Sequence, residues 1–348
     1  TTALQTFIYD LIYNNGTAIF AKDNLRIPSY DELPGVFAKE GVGLNLPHCS
    51  LRNYRLDGGN MHRGMCDRMR EAFPLFVQDA FNGRENLLIA AEDFDRIDDI
   101  DFKRMRFWLQ PYKRIKVLVT YRRLHDWLPS WYNQNVEHYS VIYAKGELRY
   151  PSFVEWLDAN YENFLTAHSV HIADRFSSYD IVDSVDILNM HDIPNMIEHL
   201  FCNHLEARAT CQAIKDGAKS TKSNIGKSHE YERIAISASL AGKISGDTLH
   251  KAVRLDRAAR RIKEKFDEIN ALDTLPRICP KKELLDRILE MEMEHERKLF
   301  PEWYESQGGD EGLRQSFEAA VRKKFCSFDV VKILQSSQLD SFFKWIEV

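Results

Sequence analysis

Long apolar runs are missing from this 348-residue chain: none approaches the roughly 18–20 residues that a membrane-spanning helix requires. Positive charge is not in surplus either. There are 47 Lys and Arg against 52 Asp and Glu, a formal net charge of −5 at pH 7, which argues against a nucleic-acid partner. The six cysteines, Cys49, Cys66, Cys202, Cys211, Cys279 and Cys326, contain no Cys-x-x-Cys pair, so the ligand spacing of a structural zinc site is absent. No internal repeat is present, which sets aside solenoids and propellers. What remains is 44% hydrophobic and 28% charged, the ordinary composition of a globular protein with a large core. The even cysteine count fits either scattered thiols or disulfides, and Cys202 with Cys211, straddling a predicted helix end, is the first pair to test.

The pattern along the first part of the chain alternates strands and helices. Leu4, Phe7, Ile8, Leu11 and Ile12 recur at helical spacing, and Asn14-Asn15-Gly16 stops that helix. Strands are predicted at 17–21, 86–91, 115–121 and 185–190, with helices over 62–81, 102–109, the segment bearing Ser130, 152–165 and 195–205. Asp126 suits a cap for the Ser130 helix, with Pro129 in its first turn. Residues 24–60 read as a long irregular insertion. Beyond about residue 206 the pattern is helical only, at 231–241, 248–271, 283–299, 313–325 and 340–346. The expectation is a parallel sheet between helices over residues 1–205, with residues 206–348 as a helical extension of the same domain.

The chemistry concentrates at predicted strand ends, where open parallel sheets bind ligands. The stretch IKVLVTYRRLHDWLPSWYNQ runs from a buried-type strand into Arg122 and Arg123, then into a helix carrying Ser130. Arginine offers a planar fork of donors for phosphate, and a helix start adds free N–H groups and a positive dipole end. Thr1 and Thr2 open the first helix and supply a second anion-holding point, while Glu92 follows the strand at 86–91. Two separated grips suit a nucleotide with phosphates at both ends better than a triphosphate.

TTALQ at a helix start, together with VTYRRLHDWLPSWYNQ after a strand, resembles the sulfotransferase superfamily, in particular its divergent members from algae and other microbial eukaryotes. LLIAAEDF, VDILNMHD and KFCSFDVVKIL extend the resemblance over most of the chain. It implies a P-loop NTPase-like three-layer α/β/α fold and the cofactor 3′-phosphoadenosine 5′-phosphosulfate (PAPS), with no metal. It implies an acceptor that is a glycan or small hydroxylated molecule, and a Golgi, membrane-anchored setting, with a cytoplasmic one as the alternative. Thr1 and Thr2 match the last two residues of the loop that binds the 5′-phosphosulfate; Arg122 and Ser130 match the pair that holds the 3′-phosphate. Lys222 and Lys227, in KSTKSNIGK, lie where a late basic loop closes over the nucleotide. The loop's Gly and Lys would precede Thr1, so the polypeptide as written resembles a fragment lacking the Lys that steadies the leaving phosphate, and is expected to be inactive by itself. Ala90-Ala91 stand where relatives often carry Ser before the Glu.

Sulfuryl transfer needs a base for the acceptor's proton. Glu92 is the first choice, with His48 and His62 as alternatives beside the insertion. Ordinary roles compete at each position. Arg122 alone would be a surface or capping residue, Thr1-Thr2 a helix cap, and Glu92 a salt-bridge partner. Arg123 is expected to face solvent or pair with an acid. Trp127, Trp131 and Tyr132 are expected to pack in the core, and 251–265 to be a solvated helix face. His62 with Cys66, and His199, Cys202 and His204, have metal-like spacing but no convincing fourth ligand. Two other readings stand beside the enzyme: a catalytically silent nucleotide- or glycan-binding protein on the same fold, and a P-loop kinase, for which no Mg²⁺-holding Asp signature stands out.

Overall fold

The computed structural model describes residues 18–28, 60–90, 99–146, 148–217, 229–244, 252–268 and 274–337, with Ile8, Leu11, Leu33 and Phe343 as single positions. In chain order these form α1 (Ala18–Lys22), β1 (Leu25–Arg26), α2 (Asn60–Asn82), β2 (Asn86–Leu87), α3 (Asp99–Trp108) and β3 (Ile115–Tyr121). Then follow α4 (Leu124–Ala144), α5 (Phe153–Leu165), α6 (Ser169–Ser177), β4 (Val182–Asn189), α7 (Met196–Glu198) and a π-helical turn (His199–His204). Next are α8 (Arg208–Lys215), α9 (Glu230–Leu240), α10 (Ala252–Glu268), β5 (Arg277–Ile278) and α11 (Lys282–Leu299). The last are α12 (Pro301–Ser306), α13 (Gly309–Ala320), a second π-helical turn (Val321–Phe325), β6 (Ser327–Phe328) and α14 (Val330–Gln335). The described protein is mostly helical with small parallel sheets, and so broadly α/β.

The chain divides into two compact units. One comprises Thr1–Tyr121 with Thr166–Ile225; the other comprises Arg122–Leu165 with Gly226–Val348. The division falls at the end of β3, between Tyr121 and Arg122, and does not follow the change of pattern near residue 206.

In the first unit β3 and β4 run parallel, with Val117 opposite Val185 and Tyr121 opposite Asn189. A second parallel pair sets Leu25 opposite Asn86 and Arg26 opposite Leu87. Successive β3 side chains point to opposite faces: Ile115, Val117, Val119 and Tyr121 form an apolar face, while the other carries Leu118 between exposed Lys116 and Thr120. Ile115 and Val117 pack with Phe73, Phe76, Phe102 and Phe176 from α2, α3 and α6. Leu118 packs instead with Ile8, Leu11, Phe20, Leu200 and Phe201. Ile8 and Leu11 are both helical and buried, as their spacing predicts.

Several predicted elements change character. Residues 17–21, expected as a strand, contribute helix α1, which a turn at Asp23-Asn24 ends before a two-residue β1. The β-branched and aromatic run is overridden by burial of Phe20 against Phe201, with ring centroids 6.1 Å apart. Of the strand expected over 86–91, Asn86 and Leu87 pair with β1, and residue 91 lies outside the described residues. Helices α6 and α8, of nine and eight residues, were too short to stand out by periodicity. The helix expected over 195–205 opens with an Asn195 cap and then widens into the π-helical turn.

The second unit is helical around one large core from α4, α5, α9, α10, α11 and α13. Strands do not stop at 206: β5 and β6 pair antiparallel, Arg277 opposite Phe328. Cys279–Cys326 bridges the residues that flank this pair. Leu255, Ala258, Ile262 and Phe266 of α10 are buried while Asp256, Arg257, Arg260, Arg261, Lys263 and Glu264 are exposed, so the described part of the charged run is a solvated face. Residues 340–346 lie outside the described residues apart from Phe343, which is helical and buried.

Candidate functional site: the turn between β3 and α4

Arg122 and Arg123 are the only residues between β3 and α4. The Arg123 carbonyl accepts from the Asp126 N–H at 3.0 Å and the Trp127 N–H at 2.8 Å, so the helix begins at Leu124, earlier than Asp126 would have started it. Asp126 therefore stands in the first turn, where its carboxylate meets Lys324, and Pro129 falls in the second turn. Arg122 and Ser130 are both half-buried. Ser130 lies about 9 Å along the axis from Leu124, at ~1.5 Å per residue, on the second turn of the helix.

The neighbouring Arg123 has a different environment. It is buried, and its Nε and Nη2 donate to Glu296 Oε1 and Oε2 of α11 at 2.7 and 3.0 Å. Its guanidinium lies 4.7 Å from the Trp303 ring centroid, and Nη1 is 3.4 Å from Ser316 Oγ. Of the two roles expected for Arg123, pairing with an acid is the one it adopts. His125, 2% exposed, sets Nδ1 at 2.9 and 3.0 Å from the two oxygens of Glu292, which is fully buried. His125 Nε2 lies 3.4 Å from Ser316 Oγ, and its ring packs edge-on to Phe317. Burial pushes the Glu292 carboxyl above its ordinary range; hydrogen bonding to His125 opposes this, and the neighbouring Glu296 adds to it.

This buried polar cluster was not anticipated from the sequence, although a signal exists. Ile288, Leu289, Glu292, Met293, His295 and Glu296 all lie on the buried stripe of α11. Carboxylates on an apolar stripe must meet partners when the helix packs. Trp131 and Tyr132 pack with Trp156, ring centroids 6.1 and 5.5 Å away, and Trp127 lies against Trp131, so all three are packing residues.

Thr1, Thr2, His48, Glu92, Lys222 and Lys227 lie outside the described residues. His62 is in the first turn of α2, with its side chain outside the described set. Arg122 and Ser130 are thus the predicted pair that the described structure brings onto one turn and helix. Cys202 forms a disulfide with Cys211, as their separation of nine residues had suggested, and is not a metal ligand. His204 instead meets Asp186 at 3.3 Å. Among the described residues no cluster of His, Cys, Asp or Glu could hold a metal ion, and no helix is long and apolar enough to cross a membrane. Comparisons with family models, with curated proteins and with solved structures return no match for this chain.

Proposed function

We propose that this chain is the nucleotide-holding body of a PAPS-dependent sulfotransferase built on a P-loop-like three-layer core. The observation that carries the reading is the β3–turn–α4 unit: a parallel strand, Arg122 directly after it, and Ser130 on the helix that follows. The apolar clusters on both faces of β3 support the layered core. Arg122 would fork onto the 3′-phosphate while the Ser130 hydroxyl and the α4 start complete the grip. Thr1 and Thr2 would hold the 5′-phosphosulfate end, and Lys222 and Lys227 would close over the nucleotide.

In the reaction an acceptor oxygen or nitrogen attacks the sulfur in line, and the bond from sulfur to the bridging phosphate oxygen breaks. 3′-Phosphoadenosine 5′-phosphate (PAP) departs with that electron pair. The acceptor's proton passes to a base, with Glu92 first and His48 or His62 as alternatives. Positioning and charge stabilisation supply most of the acceleration, as in phosphoryl transfer. A carbohydrate is the favoured acceptor class. Cys202–Cys211 and Cys279–Cys326 persist in an oxidising lumen of the Golgi type, in keeping with this assignment.

Arg122→Ala should weaken PAP binding by about tenfold to a hundredfold, the scale of one charge-assisted bidentate contact, and, in a polypeptide that carries the loop's Gly and Lys ahead of Thr1, abolish transfer of labelled sulfate from PAPS. Calorimetry with PAP and a radiolabel transfer assay test this; unchanged PAP affinity would remove Arg122 from the site. The Ala90-Ala91 pair favours a second reading, a nucleotide-binding protein without transferase activity on the same fold. PAP binding by a polypeptide that carries the loop's Gly and Lys, without transfer to any of a panel of glycan acceptors, would select it.

A further inference from the structure

The side chain beside the proposed phosphate ligand is anchored by a buried carboxylate, and the same anchoring repeats two residues later. Arg123 is forked onto Glu296 and stacked on Trp303, and His125 is held by Glu292. Both acids come from consecutive turns of α11, and Ser316 of α13 touches both Arg123 and His125. The backbone between Tyr121 and Asp126 is therefore clamped at positions 123 and 125. This is the backbone from which Arg122 projects, and it sets the start of the helix that carries Ser130.

We infer that Glu296 and Glu292 are positioning residues for the 3′-phosphate site, acting through Arg123 and His125 to hold Arg122 and Ser130 at the spacing the phosphate requires. The inference rests on the reading of Arg122 and Ser130 as the phosphate grip. Neither acid touches the ligand. Each faces a basic partner: Glu296 is paired with Arg123, and Glu292 is within hydrogen-bond distance of His125 Nδ1. The charged and titratable groups around His125 are Glu292 from α11, Asp126 of its own helix at 4.0 Å, and, on Asp126, Lys324 from the second π-helical turn. His295 and Glu296 are buried on the same helix as Glu292, and Arg123 on α4's leading turn. The cluster acts on Arg122 by geometry. A displacement of Arg122 by a fraction of its own length would misalign its fork, and misplacement of this kind can cost a large factor in binding or rate.

The test compares the affinity of the full chain for PAP with that for adenosine 5′-monophosphate, which lacks the 3′-phosphate. In the wild type PAP should bind more tightly, and the ratio of the two dissociation constants measures the 3′-phosphate grip. Glu296→Gln should lower that ratio about tenfold, the scale of coupling within one hydrogen-bonded network, with adenosine 5′-monophosphate affinity unchanged. Arg123→Lys, which keeps the charge but not the fork, should lower it less. Ile288→Val, on the same helix and in the core, should reduce thermal stability without moving the ratio. A ratio that Glu296→Gln leaves unchanged or raises overturns the inference, as does an equal drop in Ile288→Val. A wild type that does not distinguish the two nucleotides fails at the earlier step: the phosphate reading falls, and the positioning role with it.

Discussion

Glu292 is a carboxyl group in the core of the second unit, with His125 as its basic partner. Burial is the largest influence on it and holds its proton on to a higher pH than the ordinary 4.5. Above 4.5 the unfolded chain has released this proton while the folded chain retains it, so the folded state binds more protons and stability falls as pH rises. The contribution is fully present below the unfolded value and is lost as pH climbs through the folded one. Glu292→Gln keeps an acceptor for His125 and cannot ionise. The stability of the wild type relative to this variant should therefore decline from pH 4.5 toward neutrality, measured by urea unfolding at a series of pH values. A difference that grows over that range would show that the ion pair outweighs the cost of burying the carboxylate.

At the scale of elements, the helices with caps show how short segments are held. Ser152 and Glu155 form a reciprocal cap at the start of α5: the Glu155 N–H donates to Ser152 Oγ at 3.1 Å, and the Ser152 N–H donates to Glu155 Oε2 at 2.8 Å. Helix α8 has no such local cap. Instead Asp23, distant in sequence, accepts from the Ala209 and Thr210 N–H groups and the Thr210 hydroxyl, each at 2.8 Å. Asp23→Ala would strand the fully buried Thr210 hydroxyl along with the helix start, for an expected loss of about 2 kcal/mol. Hydrogen exchange at Ala209 and Thr210 should accelerate while α5 stays protected; unchanged protection there would show that water replaces the carboxylate. Helix α8 was missed in the sequence because its cap comes from a residue with no local signature. Strand β3 and helix α4 were legible because Ile115, Val117, Val119 and the Leu124, Leu128 and Tyr132 stripe carry their periods locally. The placement of Arg122 directly after β3 and of Ser130 on α4 was legible for the same reason, since both lie next to those patterns. The Glu292–His125 and Glu296–Arg123 pairs were not, since each joins residues more than 160 positions apart.

For the whole molecule, each compact unit carries one described disulfide: Cys202–Cys211 in the first, Cys279–Cys326 in the second. Their loops differ in length, with sequence separations of 9 and 47. If a cross-link acts mainly by restricting the unfolded chain, closing these loops contributes about 3 and about 4 kcal/mol respectively. The packing around them also differs. Cys202–Cys211 joins the π-helical turn to α8, which Asp23 already holds, so losing it leaves a capped helix in place. Cys279–Cys326 borders the two-residue β5–β6 pair, and Phe328 of that pair accepts from buried Arg233 and donates to Glu230. A pair of two residues per strand is too short to hold itself. Replacing Cys279 and Cys326 together with serine should therefore lower the melting temperature more than the same change at Cys202 and Cys211, and should release the 274–337 segment to proteolysis. If instead the shorter loop proves the costlier to open, local geometry at the π-helical turn matters more to this protein than chain entropy, and the first unit depends on its cross-link more than the second.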